Sequence, residues 1–220
     1  MPRYGRIDPE YASHLATCAL EQDGPIFMVN FMKYRARAEY DDGRDDGITG
    51  KEADDRYAPL DILADIGALV VFFGDVEAGG DWDRVGIVRY PTRRSFMMMQ
   101  ARPDFQSRHA HKVAGMERTI VCGTLPTGVR SPASTGSRVL FELAVPGAPL
   151  AHAGAGHLRV EGTILGDGRR FATLGVSWVG EAVVVPAASA ERAVAIVRPT
   201  IDRFATELGM TAPASGGTWS

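Results

Sequence analysis

Residues 67–121, GALVVFFGDVEAGGDWDRVGIVRYPTRRSFMMMQARPDFQSRHAHKVAGMERTIV, decide how this chain folds. Apolar runs, glycine turns and a proline divide the stretch into alternating strands and helices. In order they predict a strand over 68–75, a turn at 79–81, a strand over 84–90, a helix from Thr92 that is interrupted at Pro103, and a closing strand over 117–122. Upstream, 26–32 predicts a further strand and 57–66 an amphipathic helix. The resulting order β-α-β-β-α-β is the ferredoxin-like pattern, and Asp8-Pro9 predicts the start of an extra N-terminal helix.

The second half of the chain predicts a degenerate copy of the first. Its patterns predict a strand over 138–145, a hairpin of 158–165 and 171–178 around Gly166-Asp167-Gly168, a strand over 181–185, and a helix over 189–208 that Pro199 interrupts. The segment VVVPAASAERAV there parallels IVRYPTRRSF in the first half. We therefore predict a ferredoxin-like domain over 1–125, a linker over 126–136, a second, degenerate ferredoxin-like domain over 137–210 and a disordered tail over 211–220.

Composition excludes several classes of partner. The chain of 220 residues has a formal net charge of -3 and a hydrophobic content of 45%, which is typical of a globular protein and gives no reason to expect nucleic-acid binding. Its apolar runs have the length of strands, so we expect no membrane span, and the N-terminus lacks a signal-peptide core. Cys18 and Cys122 have no paired spacing. These features together predict a cytoplasmic location with reduced thiols.

The first half resembles a mostly uncharacterised bacterial family of the dimeric α+β-barrel superfamily. The resemblance covers roughly residues 8–125, just over half of the chain. It is carried by the strand Gly24-Pro25-Ile26-Phe27-Met28-Val29-Asn30-Phe31, by Tyr57, Gly67, Trp82-Asp83 and Val88-Arg89-Tyr90-Pro91, and by Phe96, Met99, Pro103-Asp104-Phe105, His109 and Ala114-Gly115. It implies an α+β barrel made of two ferredoxin-like sheets, here either within one chain or in a homodimer.

That resemblance implies a small-molecule pocket between sheet and helices and leaves the chemistry open. Relatives in the superfamily include cofactor-free monooxygenases, polyketide cyclases, muconolactone isomerases, and haem enzymes of the chlorite dismutase and dye peroxidase type. A shared fold is a weak guide to the reaction type.

Three residues are candidates for catalysis. His109 shares a helical face with Phe105 and Val113, so its imidazole could act as an acid-base group in a pocket, or it could be a half-buried histidine with a backbone partner. Arg89 could hold a carboxylate or an oxyanion if its strand face is the pocket side, or it could pair with Glu117 or Asp83. Tyr57 could donate to an enolate oxygen or pack at the edge of the core.

Four residues are candidates for substrate binding. Asn30 is a polar amide on an apolar strand, which needs hydrogen-bond partners from either the protein or a substrate. Trp82 is expected to cover one end of the sheet, with a pocket wall as its second interpretation. Met99 belongs to the run Met97-Met98-Met99, which can pack the core or line an adaptable pocket, and Phe105 lies one turn before His109.

Metal and cofactor sites are not expected. His109-Ala110-His111 looks like a metal-binding pair, but on a helix the two side chains point in different directions. The loop over 41–47 has no bidentate glutamate at the calcium-loop spacing and is either a solvated loop or a lid over the pocket. His152 or His157 could ligate haem, although no local motif supports it. The chain also lacks the P-loop, dinucleotide, G-x-S-x-G and H-E-x-x-H motifs.

These observations favour a cofactor-independent α+β-barrel enzyme. It would act by acid-base chemistry on a small, oxygenated, fairly apolar metabolite, as an isomerase, cyclase, lyase or monooxygenase. His109, Arg89 and Tyr57 are the predicted catalytic residues, with Asn30, Trp82, Met99 and Phe105 around the substrate. The alternatives are a small-molecule binding protein without turnover, and a haem-binding barrel that uses His109, His152 or His157.

Overall fold

The strands of this protein close into an antiparallel barrel with helices on one side. The computed structural model describes residues 4–130, 136–152 and 156–210. The strands in these ranges are β1 (Arg6–Ile7), β2 (Ile26–Tyr34), β3 (Leu69–Ala78), β4 (Arg84–Tyr90), β5 (Met116–Arg130), β6 (Arg138–Ala144), β7 (Gly156–Gly166), β8 (Thr173–Val179) and β9 (Arg192–Asp202). The helices are α1 (Pro9–Thr17), α2 (Gly50–Tyr57), α3 (Leu60–Asp65), α4 (Arg93–Gln100), α5 (Pro103–Gly115) and α6 (Phe204–Glu207), with a 3-10 turn at Leu20–Gln22.

Eight of the described strands form the closed barrel. Their order is β7-β5-β2-β4-β3-β9-β6-β8, and β8 pairs with β7 to close the ring. All neighbouring pairs are antiparallel, and β1 adds to the outer part of β7. The strands of the first half are ordered β5-β2-β4-β3 and those of the second half β9-β6-β8-β7. The two halves therefore share one order of strands: fourth, first, third, second.

The barrel interior is a single apolar core to which both halves contribute. Along each strand alternate side chains point inward, so that Phe31 from β2, Phe72 from β3 and Phe141 from β6 meet inside the barrel and are all fully buried. The rings of Phe72 and Phe141 lie 4.8 Å apart, and those of Phe31 and Phe141 lie 6.4 Å apart. Contacts between aromatic rings at these separations join the first half to the second.

A second apolar core lies outside the barrel, beneath the helices. Tyr11 and Leu15 of α1, Phe96 and Met99 of α4, and Phe105 of α5 pack on outward-facing side chains of β2, β4 and β5. The predicted helix starts are present: Asp8 accepts hydrogen bonds from the backbone N–H groups of Glu10 and Tyr11, and Thr92 caps α4. Helices therefore cover one stretch of the barrel surface, and the space between helices and sheet can hold a site.

The end of the second half differs from its prediction. The helix predicted over 189–208 is wrong: residues 192–202 form strand β9, and a four-residue helix follows. The β-branched residues Val194, Ile196 and Val197 fit a strand, and β9 is buried on both faces, so its apolar run has no clear period. Residues 181–185 were predicted as a strand but do not form one. Instead, Val183 and Val185 pack against the outer face of β6 and β9.

The tandem arrangement of βαββαβ units is also not reproduced in the second half. In its described residues no helix lies between β6 and β9, so the helices cover only the sheet of the first half. The predicted linker is strand as far as Arg130, because β5 continues along β7 with Pro126 opposite Leu158. The remainder of that linker includes 131–135, and the predicted disordered tail is 211–220; both of these stretches lie outside the described residues.

One buried ion pair fastens helices α1 and α4 to β7, and it predicts an effect of pH. Glu161 accepts two hydrogen bonds from Arg93, the shorter at 2.6 Å, and one at 3.0 Å from the Tyr11 hydroxyl. Burial alone would raise the pKa of the Glu161 carboxyl, but Arg93 more than offsets this and the pKa is lowered. The pair therefore stabilises the fold above the unfolded glutamate pKa of about 4.3, and this stability is lost as pH falls through the lower folded value.

We expect Glu161→Gln to lower the free energy of unfolding at pH 7 by about 1–3 kcal/mol. Below pH 4.3 the difference from wild type should shrink, since the wild-type carboxyl then takes up a proton. Urea unfolding between pH 3 and pH 8 measures both effects. Glu181→Gln removes an exposed carboxylate and is the control. It should leave the fall in unfolding free energy at low pH the same as in the wild type. A constant difference at every pH would contradict the assignment.

Candidate functional site

A cavity of about 580 Å³ lies between the outer face of the sheet and the helices of the first half. Its floor is formed by β2 and β4, and its walls by α2, α4 and α5. Most of its lining is apolar and includes Met28, Met32, Val88, Tyr90, Phe96 and Met99. A cavity of this size and character is typical of a site for a small, largely apolar molecule.

Two helices bring polar groups to this cavity. Asp54 and Tyr57 come from α2, and His109 and Lys112, three residues apart on one face, come from α5. The two helices approach closely because Gly50 and the last residue of α5, Gly115, are both glycine: a Cβ atom on either would collide with the other's carbonyl oxygen. This contact fixes Asp54 and Tyr57 of α2 in position relative to the polar residues of α5.

His109 is joined to Tyr4 at the cavity wall. The Tyr4 hydroxyl lies 3.0 Å from His109 Nε2, and the rings of Tyr57 and Phe105 pack around the imidazole at centroid distances of 6.3 and 6.1 Å. Burial, and then the positive charge of Lys112, lowers the pKa of His109 below its usual value. The imidazole is therefore neutral at pH 7 and can accept a proton.

Lys112 is buried, with 9% of its surface exposed. Its ammonium lies 4.8 Å from the centre of the Tyr57 ring, a distance at which cation–π attraction operates. Burial lowers its pKa, and the negative charge of Asp54 partly offsets that effect. Among the described residues no carboxylate lies within ion-pair distance of this ammonium, so the cavity contains an unpaired amine.

Asp54 links the cavity to a buried charge cluster behind it. Its Oδ2 accepts a hydrogen bond of 2.6 Å from the Tyr34 hydroxyl and lies 3.5 Å from Arg84. Its Oδ1 is buried and has no hydrogen-bond partner among the described residues. Unpaired buried oxygens are uncommon in folded proteins, so this atom can accept a hydrogen bond from a ligand.

Of the residues predicted from sequence, His109, Tyr57, Asn30 and Met99 all line the cavity. The amide of Asn30 donates to the carbonyl oxygen of Met28 at 3.3 Å, so one of its polar groups is already used within its own strand. Phe105 lies behind the wall, where it packs on the rings of Tyr57 and His109. Sequence reasoning thus placed residues from β2, α2, α4 and α5 at a common site.

Arg89 and Trp82 lie elsewhere. Strand β4 alternates as predicted, with Val85 and Ile87 on one face and Gly86 and Val88 on the other, but the cavity lies on the Gly86 face. Arg89 shares the opposite face and lies 3.5 Å from Glu207, rather than pairing with either carboxylate expected from the sequence.

Trp82 belongs to the core inside the barrel, in contact with Phe31, and is likewise on the far side of the sheet from the cavity. The structure therefore separates these two predicted site residues from the other five.

The remaining histidines do not join His109. On α5, His111 turns away and lies 2.8 Å from the Tyr40 hydroxyl, as the helical spacing predicts. His152 Nδ1 lies 3.2 Å from Ser177 in the second half, and His157 lies on β7; neither lines the cavity. Within the described ranges, no group of three or more His, Cys, Asp and Glu side chains is arranged to hold a metal ion.

Sequence reasoning missed several polar residues of the cavity, among them Tyr4, Asp54 and Lys112. Tyr4 lies outside every predicted element and gives no local signal. Asp54 also lies outside every predicted element, although Thr49 and Glu52 form the capping box that begins α2. Lys112 was placed on the correct helical face, and a lysine three residues after a histidine on an otherwise apolar face was the signal that could have identified it.

The unpaired lysine predicts a gain in stability when it is removed. We expect Lys112→Met to raise the free energy of unfolding at pH 7 by about 1–3 kcal/mol, because a buried cation is replaced by an apolar side chain of similar length. The gain should shrink as pH rises above the unfolded lysine pKa of about 10.4, since the wild-type amine is then neutral in both states. Urea unfolding of the variant measures it, with the exposed Lys51→Met as control. A variant less stable than wild type would mean that the ammonium has a favourable partner.

Several solved structures resemble this chain, whereas no protein-family model and no curated protein matches it. The methylated RPA0582 protein is 31% identical, with a TM-score of 0.47, over 58% of this chain and 99% of the other. A second structure, of a protein of unknown function from Rhodopseudomonas palustris, is 29% identical, with a TM-score of 0.44, over 54% of this chain and 95% of the other. A "putative monooxygenase" from Lactobacillus acidophilus is 14% identical, with a TM-score of 0.42, over 80% of this chain and 94% of the other.

A membrane-spanning helix must be both long and apolar. None of the described helices combines the length and the apolar character that crossing a membrane requires.

Proposed function

We propose that the cavity is the active site of a cofactor-independent enzyme that moves protons on a small, mostly apolar, oxygenated molecule. The observation that carries the proposal is the presence of His109, Tyr57 and Tyr4 in the wall of an otherwise apolar cavity of about 580 Å³. Isomerisation, cyclisation, elimination, and oxygenation of a substrate that forms its own carbanion all begin with such a proton transfer.

His109 is the acid-base group in this proposal. Because its pKa is lowered, the imidazole is neutral at pH 7 and can remove a proton from carbon or oxygen. The Tyr4 hydroxyl beside Nε2 can orient the ring. Burial raises the pKa of both Tyr4 and Tyr57, so both hydroxyls stay protonated and Tyr57 can donate to a developing oxyanion. Asn30 and Met99 contact the substrate, and Phe105 supports the ring of Tyr57.

The proposal is tested by screening ligands and then substrates. Apolar ketones, phenols and unsaturated lactones are first screened by thermal shift against wild type and Val88→Phe, whose larger side chain should narrow the cavity and weaken binding. Compounds that bind only the wild type are then assayed for proton exchange in D2O by NMR, which detects proton abstraction even without a known product.

We expect His109→Ala to lower turnover by roughly 10²–10⁴-fold while ligand binding changes little, as is typical for loss of an acid-base group. The rate of the wild type should rise with pH through a pKa below the usual histidine value of about 6.5. His111→Ala, two residues away on the other side of α5, is the matched control and should keep wild-type turnover. Full activity in His109→Ala would refute the assignment, and binding without exchange in the wild type would indicate a binding protein.

We further propose that each half of the chain corresponds to one ferredoxin-like unit, and that the two units close the barrel within a single chain. Support comes from the strand order that both halves share, fourth, first, third, second. The second unit would have lost its helices and with them a second cavity of this kind.

A further inference from the structure

Lys112 lines the cavity, yet proton transfer by His109 does not use it. Of the 24 Lys and Arg residues only Lys33, Lys51 and Lys112 are lysines. Lys33 pairs with Asp81 and Asp83, and Lys51 pairs with Asp75. Among the described residues Lys112 is thus the one lysine without a carboxylate partner, and it is also the most deeply buried.

The choice of lysine at this position is informative because arginine cannot replace its chemistry. A guanidinium stays protonated in proteins, whereas a buried lysine amine can lose its proton and attack an electrophile. Elsewhere the chain uses arginine for most cations, including the buried Arg84 and Arg93. Among the described residues, the buried cationic position that faces the cavity without an ion-pair partner is therefore occupied by an amine.

We propose that Lys112 is a nucleophile that forms an imine with an aldehyde or ketone group of an apolar molecule in the cavity. This inference rests on the proposed function, because it names the substrate class of the same site. It is carried by three observations: the amine lines the cavity, it has no ion-pair partner, and the surrounding wall is apolar.

The step balances without an oxidant or a reductant. The amine nitrogen attacks the carbonyl carbon, and a proton moves from nitrogen to the carbonyl oxygen to give a carbinolamine. Loss of that oxygen as water leaves a C=N bond in place of C=O. His109, one helical turn before Lys112, is placed to transfer these protons.

The surroundings of Lys112 suit both the free amine and the imine. Burial lowers the pKa of the amine, so more of it is unprotonated at pH 7. When protonated, the imine is a cation, which the face of the Tyr57 ring and the negative charge of Asp54 stabilise. A protonated imine withdraws electrons from the adjacent carbon, and so makes easier the same proton removal that is proposed for His109.

The test is reductive trapping with cinnamaldehyde and cyanoborohydride at pH 7, followed by peptide mapping. We expect an adduct at Lys112 that adds the aldehyde less one oxygen atom. Because burial lowers the pKa of Lys112, more of its amine is free at pH 7, so labelling at Lys112 should be clearly faster than at Lys33 and Lys51. Peptide mapping also distinguishes an adduct at the α-amino group of the chain from an adduct at Lys112.

Four variants make the result decisive. Lys112→Arg, which keeps the charge, should lose the fast adduct, and Lys51→Met should be labelled at Lys112 like the wild type. Val88→Phe keeps Lys112 but narrows the cavity, and should slow labelling because the aldehyde must enter there. His109→Ala should form the trapped adduct at Lys112 more slowly, because His109 transfers the protons of imine formation, and should lose the later proton exchange.

Labelling at Lys112 no faster than at Lys33 and Lys51 would overturn the inference, and so would equal labelling in Val88→Phe. Proton exchange that depends on His109 but survives in Lys112→Arg would also reject the imine, and would leave the proposed function standing. A trapped adduct at Lys112 without any proton exchange in the wild type would support the imine and reject the proposed function. Thermal melting of each variant shows that it is folded.

Discussion

Replacing Arg84 by methionine is expected to destabilise the protein by about 3–5 kcal/mol, because it leaves a buried carboxylate without its counter-charge. Arg84 is 5% exposed and lies 3.5 Å from Asp54, which is 6% exposed. It also pairs with Asp55 at 2.7 Å and with Asp75 at 3.0 Å. Without the guanidinium, Asp54 would keep only the hydroxyl of Tyr34 as a hydrogen-bond donor.

The matched control is Lys51→Met. Lys51 also pairs with Asp75, but both side chains are nearly half exposed, so its loss should cost at most about 1 kcal/mol. Urea unfolding at pH 7, followed by circular dichroism, measures both variants. Equal effects of the two substitutions would mean that burial does not strengthen the Arg84 cluster.

This cluster also supports the cavity. The ring of Phe73, which lines the cavity, lies 4.6 Å beneath the guanidinium of Arg84, and Asp54 connects that guanidinium to α2. A variant of Arg84 should therefore bind cavity ligands more weakly even at temperatures where it remains folded. The stability of the charge cluster and the geometry of the site are coupled through one carboxylate.

The sequence predicted the helical face of the site well because that face is a local property. The spacing of Phe105, His109 and Lys112 on α5 follows from 3.6 residues per turn alone. The alternation of β4 was equally local and equally correct. Which of its two faces meets the cavity was not predictable in the same way, because it depends on where the ring of strands closes, and that closure pairs β7 with β5 and β9 with β3, far apart in sequence.

Arg89 and β9 were interpreted without knowledge of how distant strands pair. Arg89 was a candidate only if its strand face was the pocket side, and that face points into the barrel. The run from Arg192 to Val197 was given a helical period because both of its faces are apolar, which is also what a strand buried on both sides requires. Long-range pairing decided both outcomes.

The interior of the barrel gives the second large effect: Phe141→Ala should destabilise the protein by about 3–5 kcal/mol, the usual cost of removing a buried aromatic ring. Phe141 is fully buried and contacts Phe31 and Phe72 across the barrel. Because those partners belong to the first half and Phe141 to the second, the loss should weaken both halves together. Phe141→Leu, which leaves a smaller void, should cost less than half as much.

Two tryptophans allow the halves to be followed separately. Trp82 lies in the first half and Trp178 in the second, and both are buried in the interior core. With Trp219 and either Trp82 or Trp178 replaced by phenylalanine, a single tryptophan remains, and urea unfolding reports on one half at a time. In each single-tryptophan protein we expect the fluorescence and circular-dichroism midpoints to coincide, and Phe141→Ala to lower the midpoint to a similar extent in both, since one core spans the ring of strands. A shift confined to the Trp178 probe would instead indicate two independently folding domains, as the sequence alone suggested.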